Sequence, residues 1–199
     1  MSLYSWFSYN GLALNSEKKD TILLGTSKGN SSLSHIISVN IAGTQITLSN
    51  HRKLLGLTLD SNFNLNKHVS SICRSSYFHL RALRHIRHAI NDGIAKSIGQ
   101  ALISSRFDYA NGILYSASQL NINKLQKVQN ALACVVLRAY HRTNATPLLA
   151  KLHWLPIERP ILFKMATLTF KSLDCDQPSY LRVLVEYRCY ETHHSYIKN

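Results

Sequence analysis

The chain has 199 residues, 45% of them hydrophobic, enough to bury the core of one domain or two small ones and too apolar for a disordered polymer. No run reaches the roughly eighteen apolar residues of a membrane span, and Met1–Tyr9 lacks the basic start of a secretory signal. The net charge of +13 is concentrated in residues 67–171, where fifteen Lys/Arg face three Asp/Glu; this suits an electrostatic footprint for an anionic polymer, or else a solvated helix surface.

In chain order, Leu3–Leu14 has the pattern of a helix end, with Trp6, Phe7, Leu12 and Leu14 apolar. Asp20–Gly25 (DTILLG) is a short apolar run that predicts a buried strand. Thr26–Ser34 (TSKGNSSLS) is rich in Gly and Ser and reads as a flexible connection. Ile37–Ile41 and Thr44–Leu48 flank Ala42-Gly43 and predict a hairpin in which glycine supplies the turn. His51–Asp60 (HRKLLGLTLD) alternates around Leu55, Leu57 and Leu59, the pattern of a further strand.

From Asn66 the spacing turns helical and stays so. Val69, Ile72, Ser76, Leu80, Leu83 and Ile90 recur at three-, four- and seven-residue intervals, one face of a long helix. Asn91-Asp92 predicts the cap of a second helix reaching about Ser105. A third covers Asn121–Ala139, with Leu125, Val128, Leu132, Val135 and Ala139 inward. Thr146–Leu152, Ile157–Leu173 and Ser179–Tyr187 complete the set, and there is no internal repeat. The prediction is an α+β chain: a small N-terminal β segment over residues 1–65, then a mainly α-helical domain over 66–199.

The stretch LHWLPIERPIL (Leu152–Leu162) reads as a corner between two of these helices. Pro156 blocks continuation of the preceding helix, and Pro156–Pro160 suit the first turn of the next, where Glu158 favours the positive end of the helix dipole. Trp154 is predicted to pin the corner by packing.

Clustered catalytic groups are scarce. Asp174 and Asp176 flank Cys175 in a predicted loop and fit a solvated helix exit better than a metal site. The four cysteines (Cys73, Cys134, Cys175, Cys189) form no CxxC pair, which suits reduced thiols of an intracellular protein, in cytoplasm or nucleus, and makes a zinc site of Cys175, Cys189, His193 and His194 a poor match. Gly25–Gly29 (GTSKG) lacks the Gly-Lys-Ser/Thr order of a phosphate loop. No metal or cofactor is expected. The long helix is more suggestive: Arg74, Arg81, Arg84, His85 and His88 line a strip offset from its apolar face, with Arg87 nearby. Guanidinium forks so spaced suit successive phosphates of a nucleic-acid backbone. Tyr77 and Phe78 interleave with them, and Phe78 is read as a core side chain.

Together these pieces resemble the C-terminal part of a reverse transcriptase from a non-LTR (LINE-type, Jockey-like) retrotransposon. The segment W-F-S-Y-N-G-L-A-L-N-S-E-K (Trp6–Lys18) is similar to the family's W…N-x-L-x-L-N-x-x-K, and L-L-G-L-T-L-D (Leu54–Asp60), followed by Phe63, Leu65 and His68, to its primer-grip hairpin and thumb start. S-R-F-D-Y-A-N-G-I-L (Ser105–Leu114), L-Q-K-V-Q-N-A (Leu125–Ala131), L-H-W-L-P-I-E-R-P-I-L-F-K (Leu152–Lys164) and P-S-Y-L (Pro178–Leu181) follow in the family's order. Pro160 departs from the pattern, replacing an apolar residue.

The resemblance implies a palm remnant with a primer-grip-like hairpin, then a helical thumb and C-terminal helical region, derived from an RNA-directed DNA polymerase. It places Lys18 near the incoming nucleotide as an accessory general acid, Leu55, Gly56 and Leu57 at the primer grip, and the basic strip on a thumb that tracks a template–primer duplex. The partner implied is RNA or an RNA–DNA duplex, bound without sequence preference. The family's Asp residues that hold two Mg²⁺ ions fall before the matched segment, and Glu17, Asp20 and Asp60 occupy no matching motif. The isolated chain is therefore expected to be catalytically incomplete. The alternative is a domesticated or relic helical protein-interaction module with no nucleic-acid role.

Overall fold

β-Branched residues dominate the stretch around Ser38–Ser49, and it pairs as expected. In the computed structural model, which describes residues 3–12, 21–32, 35–41, 44–140 and 143–185, β2 (Ser38–Ile41) and β3 (Thr44–Ser49) are antiparallel, with Ile41 opposite Thr44. The chain divides into two compact units, Met1–Ser71 and Ile72–Asn199. It is α+β, with its strands on the N-terminal side.

In the first unit, α1 (Leu3–Tyr9) closes at Gly11, whose φ of +66° allows Leu12 N–H to reach Phe7 O at 2.9 Å and Gly11 N–H to reach Ser8 O at 3.1 Å. The strand predicted over Asp20–Gly25 is reduced to β1 (Thr21–Ile22), parallel to β3 in a sheet of order β1-β3-β2. It is half-buried rather than buried, and Leu24 is exposed. The Gly/Ser stretch read as flexible forms a short helix, α2 (Ser27–Ser32). Capping makes the difference: Thr26 Oγ1 accepts from Gly29 N–H at 3.2 Å, and Asn30 Nδ2 donates to Ser61 O at 3.1 Å and Asn62 Oδ1 at 2.9 Å.

His51–Asp60 is not one strand but a hairpin, β4 (His51–Leu54) and β5 (Leu57–Asp60). Leu55 (φ 47°) and Gly56 (φ 82°) both adopt the left-handed region that a two-residue primed turn demands. Leu55 lacks the turn signature of Asn or Asp, so alternation hid the reversal. Beyond β5, buried Asp60 accepts from Asn64 N–H through Oδ1 at 2.8 Å and shapes the entry into α3 (Asn66–Ile86). On its first turns His68 is buried, which holds its pKa below the ordinary value, and Thr58 N–H points to its Nδ1 at 3.4 Å.

On the inward face of α3, Val69, Ser76, Leu80 and Leu83 are buried. The spacing extends this face to Ile90, but the α-helix ends at Ile86 and a 3₁₀ turn, Arg87–Ala89, carries Arg87 inward. Phe78, read as core, is 64% exposed and meets only the His79 ring edge-on, at 5.4 Å between centroids. Asn91 caps α4 (Asp92–Gly99) as predicted, its side chain accepting from Ile94 N–H at 2.8 Å. The predicted helix continues as a π-turn (Gln100–Ser104) and α5 (Ser105–Asp108).

α6 (Gln119–Val136) is the central helix of the second unit, with Leu125, Val128, Leu132 and Val136 fully buried. Each such side chain stabilises the fold by roughly 1.5–3 kcal/mol relative to exposure. Gly99 marks a close approach to this helix, since a Cβ there would lie 2.9 Å from Leu132 Cδ1. α6 stops three residues short of its predicted end at Ala139, because Arg138 turns left-handed (φ 52°) and Ala139 N–H folds back to Cys134 O at 2.9 Å.

α7 (Ala145–Leu152) and α8 (Glu158–Asp174) flank the LHWLPIERPIL corner. His153 ends α7 at φ 56°, and Trp154 N–H reaches Leu149 O at 2.9 Å. Two glutamines of α6 clamp the corner: Gln129 Nε2 donates to Leu155 O at 2.9 Å, and Gln126 Oε1 accepts from Ile157 N–H at 2.9 Å. Gln126 Nε2 in turn donates to Gln129 Oε1 at 2.8 Å, so the LQKVQN and LHWLPI segments form one network. Trp154 is half-buried, with its indole N–H buried and unpartnered. Residues 179–185 are helical.

Candidate nucleic-acid interface

The helical spacing of α3 brings Arg74, Arg81, Arg84, His85 and His88 to its outward side, and all five are exposed. None of them donates to a protein acceptor or joins an ion pair among the described residues. The charges of the three arginines face solvent, and only three acids lie among residues 67–171. Arg81 and Arg84 share a shallow concavity with Tyr77, whose ring is 41% exposed. Arg84 also approaches Cys134, where burial pushes the thiol pKa up and the guanidinium draws it partly back.

Arg87 belongs to a different chemistry. Its guanidinium is buried and donates to Val135 O (3.1 Å), Val136 O (2.7 Å) and Ile90 O (2.7 Å), and it pairs with the Asp92 carboxylate. Two of the final carbonyls of α6, Val135 O and Val136 O, thus accept from a side chain in the turn after α3. Arg138 adds a second tie: its Nη2 donates to Arg87 O (3.3 Å) and Ile90 O (3.1 Å). The side chain is exposed, and its Nε and Nη1 have no protein partner among the described residues.

These two junctions leave a concave site of about 540 Å³ between the end of α3 and the end of α6. Arg84, His88 and Arg138 stand around it, and Val135 and Ala139 form its apolar wall. Sequence spacing finds the first two cations but not Arg138, fifty residues on, because only the left-handed turn after α6 returns it to α3. A second cavity, of about 370 Å³, lies by the Trp154 corner, where desolvation raises the Asp108 carboxyl above its ordinary pKa.

The other predicted positions lie apart from this strip or outside the described residues. Lys18 falls outside the described residues, as do Cys189, His193 and His194. Leu55 and Gly56 form the tip of the β4–β5 hairpin, with Leu55 80% exposed and Leu57 half-buried at the start of β5. Asp176 faces Arg182 at 3.9 Å at the exit of α8. Asp60 has one carboxylate oxygen accepting from Asn64 N–H and the other buried without a partner among the described residues, while Glu17 and Asp20 fall outside the described residues. No helix among the described residues is long and apolar enough to cross a membrane. Compared with known proteins, the chain matches no family model, no curated protein and no solved structure.

Proposed function

We propose that the chain is a nucleic-acid-binding part of a non-LTR reverse transcriptase, holding the backbone of an RNA or RNA–DNA duplex through the outer side of α3 and contributing no metal-ion chemistry of its own. The observation that carries this reading is the set of exposed basic side chains on α3 and the turn after it that have no protein partner among the described residues. The guanidinium groups of Arg74, Arg81 and Arg84, on one helix face in a chain of net charge +13, are suited to phosphates of a backbone. Such contacts fix register and orientation and carry no base information, so little sequence preference follows. The order of motifs along the chain supports the family assignment within this proposal.

The test is a salt titration against one labelled RNA–DNA duplex. With about four phosphates neutralised, affinity falls roughly a hundredfold between ~50 and ~200 mM salt. Replacing Arg74, Arg81 and Arg84 together with Gln flattens the slope by about two to three units. An unchanged slope would move the binding face elsewhere. The second reading, a protein-interaction module, has in its favour the apolar side chains that α8 exposes, among them Phe163 and Phe170; failure to bind any duplex at low salt would leave that reading standing.

A further inference from the structure

The concave site at the junction of α3 and α6 differs from the strip beside it. A strip of cations along one helix suits a backbone that passes by. Here the basic side chains come from separate elements around a concavity: Arg84 from the end of α3, His88 from the 3₁₀ turn that follows it, and Arg138 from the turn after α6. A terminal phosphomonoester has three free oxygens and more negative charge than an internal phosphodiester, matching three separately placed donors.

The donors are available. Among the described residues Arg84 and His88 have no protein partner, and Arg138 uses Nη2 on two carbonyls while Nε and Nη1 make no hydrogen bond. Arg87 lies behind them with its guanidinium engaged by carbonyls and Asp92, so it holds the wall in place and makes no contact with a ligand. The volume of about 540 Å³ accommodates a whole nucleotide rather than a bare phosphate, and Val135 and Ala139 supply an apolar surface for its sugar or base.

We propose that this hollow is a binding site for the terminal nucleotide of a nucleic-acid strand bearing a phosphomonoester, with Arg84, His88 and Arg138 as the phosphate ligands. The proposal deepens the duplex-binding reading and rests on it for the source of the strand end.

The experiment uses the full 199-residue chain and three RNA–DNA duplexes identical except for their ends: 5′-phosphate, 3′-phosphate or hydroxyl. One phosphorylated end binds about tenfold more tightly than the hydroxyl end, the size of one charge-assisted contact set, and the arm that shows it identifies which terminus enters. Arg84→Gln with His88→Gln abolishes the preference, whereas Arg74→Gln weakens all three duplexes equally and retains it. Arg138→Gln, checked for an unchanged melting temperature, behaves like the double variant. Calorimetry with a nucleoside 5′-monophosphate, a 3′-monophosphate and the nucleoside separates this proposal from the duplex reading. If no duplex binds, monophosphate binding that is lost in Arg84→Gln with His88→Gln supports the hollow and sinks only the duplex reading. Equal affinity for all three ends, with neither monophosphate bound better than the nucleoside, overturns the proposal.

Discussion

Arg87→Met removes a guanidinium while keeping much of its aliphatic volume, and it isolates what the junction of α3 and α6 contributes to stability. Three backbone carbonyls lose a charged donor, Val135 O at 3.1 Å, Val136 O at 2.7 Å and Ile90 O at 2.7 Å; Ile90 O keeps Arg138 Nη2 and Val135 O keeps the Arg138 N–H, so the loss falls chiefly on Val136 O. A buried acceptor left unpaired costs about 1–3 kcal/mol, and removing one member of a buried charged network costs about 3–5 kcal/mol. The Arg87 side chain is 7% exposed and that of Asp92 68% exposed, so the two ends of their ion pair are unequal. Asp92→Asn leaves the carbonyl bonds intact and loses only a solvent-screened attraction, about 1 kcal/mol or less. Arg87→Lys falls between, since one ammonium cannot span the same fork of acceptors. Urea unfolding followed by far-ultraviolet circular dichroism gives the three values. At about 2–4 °C per kcal/mol, Arg87→Met lowers the melting temperature by roughly 6–20 °C. An Arg87→Met protein within about 1 kcal/mol of wild type would refute the reasoning. So would an Asp92→Asn variant as unstable as Arg87→Met.

Ser76 and Ser172 are fully buried with hydroxyls that find no partner, so Ser76→Ala and Ser172→Ala each raise stability by about 1 kcal/mol, read in the same urea titration; a loss instead would mean that both hydroxyls are hydrogen-bonded in solution. Desolvation raises the Asp108 pKa, so the folded state binds the proton more tightly than the unfolded state, and stability declines as pH rises from the unfolded pKa through the folded one. Asp108→Asn is accordingly more stable than wild type at pH 7, and its advantage fades on acidification below the ordinary carboxylate pKa. An advantage that grew toward acid pH would contradict the assignment.

Helical periodicity carried most of the second unit because burial there follows a single rule. Leu125, Val128, Leu132 and Val135 lie where the spacing puts them, and Asn91 caps α4 as its side-chain chemistry requires. The departures arise where a backbone conformation overrides composition. Leu55, Arg138 and His153 each adopt positive φ without being glycine, and each ends or reverses an element that the pattern would have continued. Phe78 shows the complementary limit: an aromatic at helical spacing reads as core, yet only the position of neighbouring helices decides whether anything covers it. The clamp of Gln126 and Gln129 on the corner after α7 was likewise invisible, since a polar side chain on a central helix gives no sign of which distant backbone it will meet.

Charge is where sequence and structure diverge most usefully, because a count treats every cation alike. Arg87 is committed to three carbonyls and a carboxylate, and Arg106 donates to Leu102 O at 2.9 Å and meets His79 Nε2 at 3.1 Å. Lys124 reaches Asn121 Oδ1 at 3.3 Å. Such groups add to the field around the molecule, but to ligate a phosphate they would first have to give up bonds they already make. Arg74, Arg81, Arg84, His85 and His88 face no such exchange. Counterion release scales with phosphates neutralised at contact, not with net charge. If the chain holds a duplex as proposed, the salt slope is set by side chains that give up no protein bond, and not by residues such as Arg87 that hold the helices together.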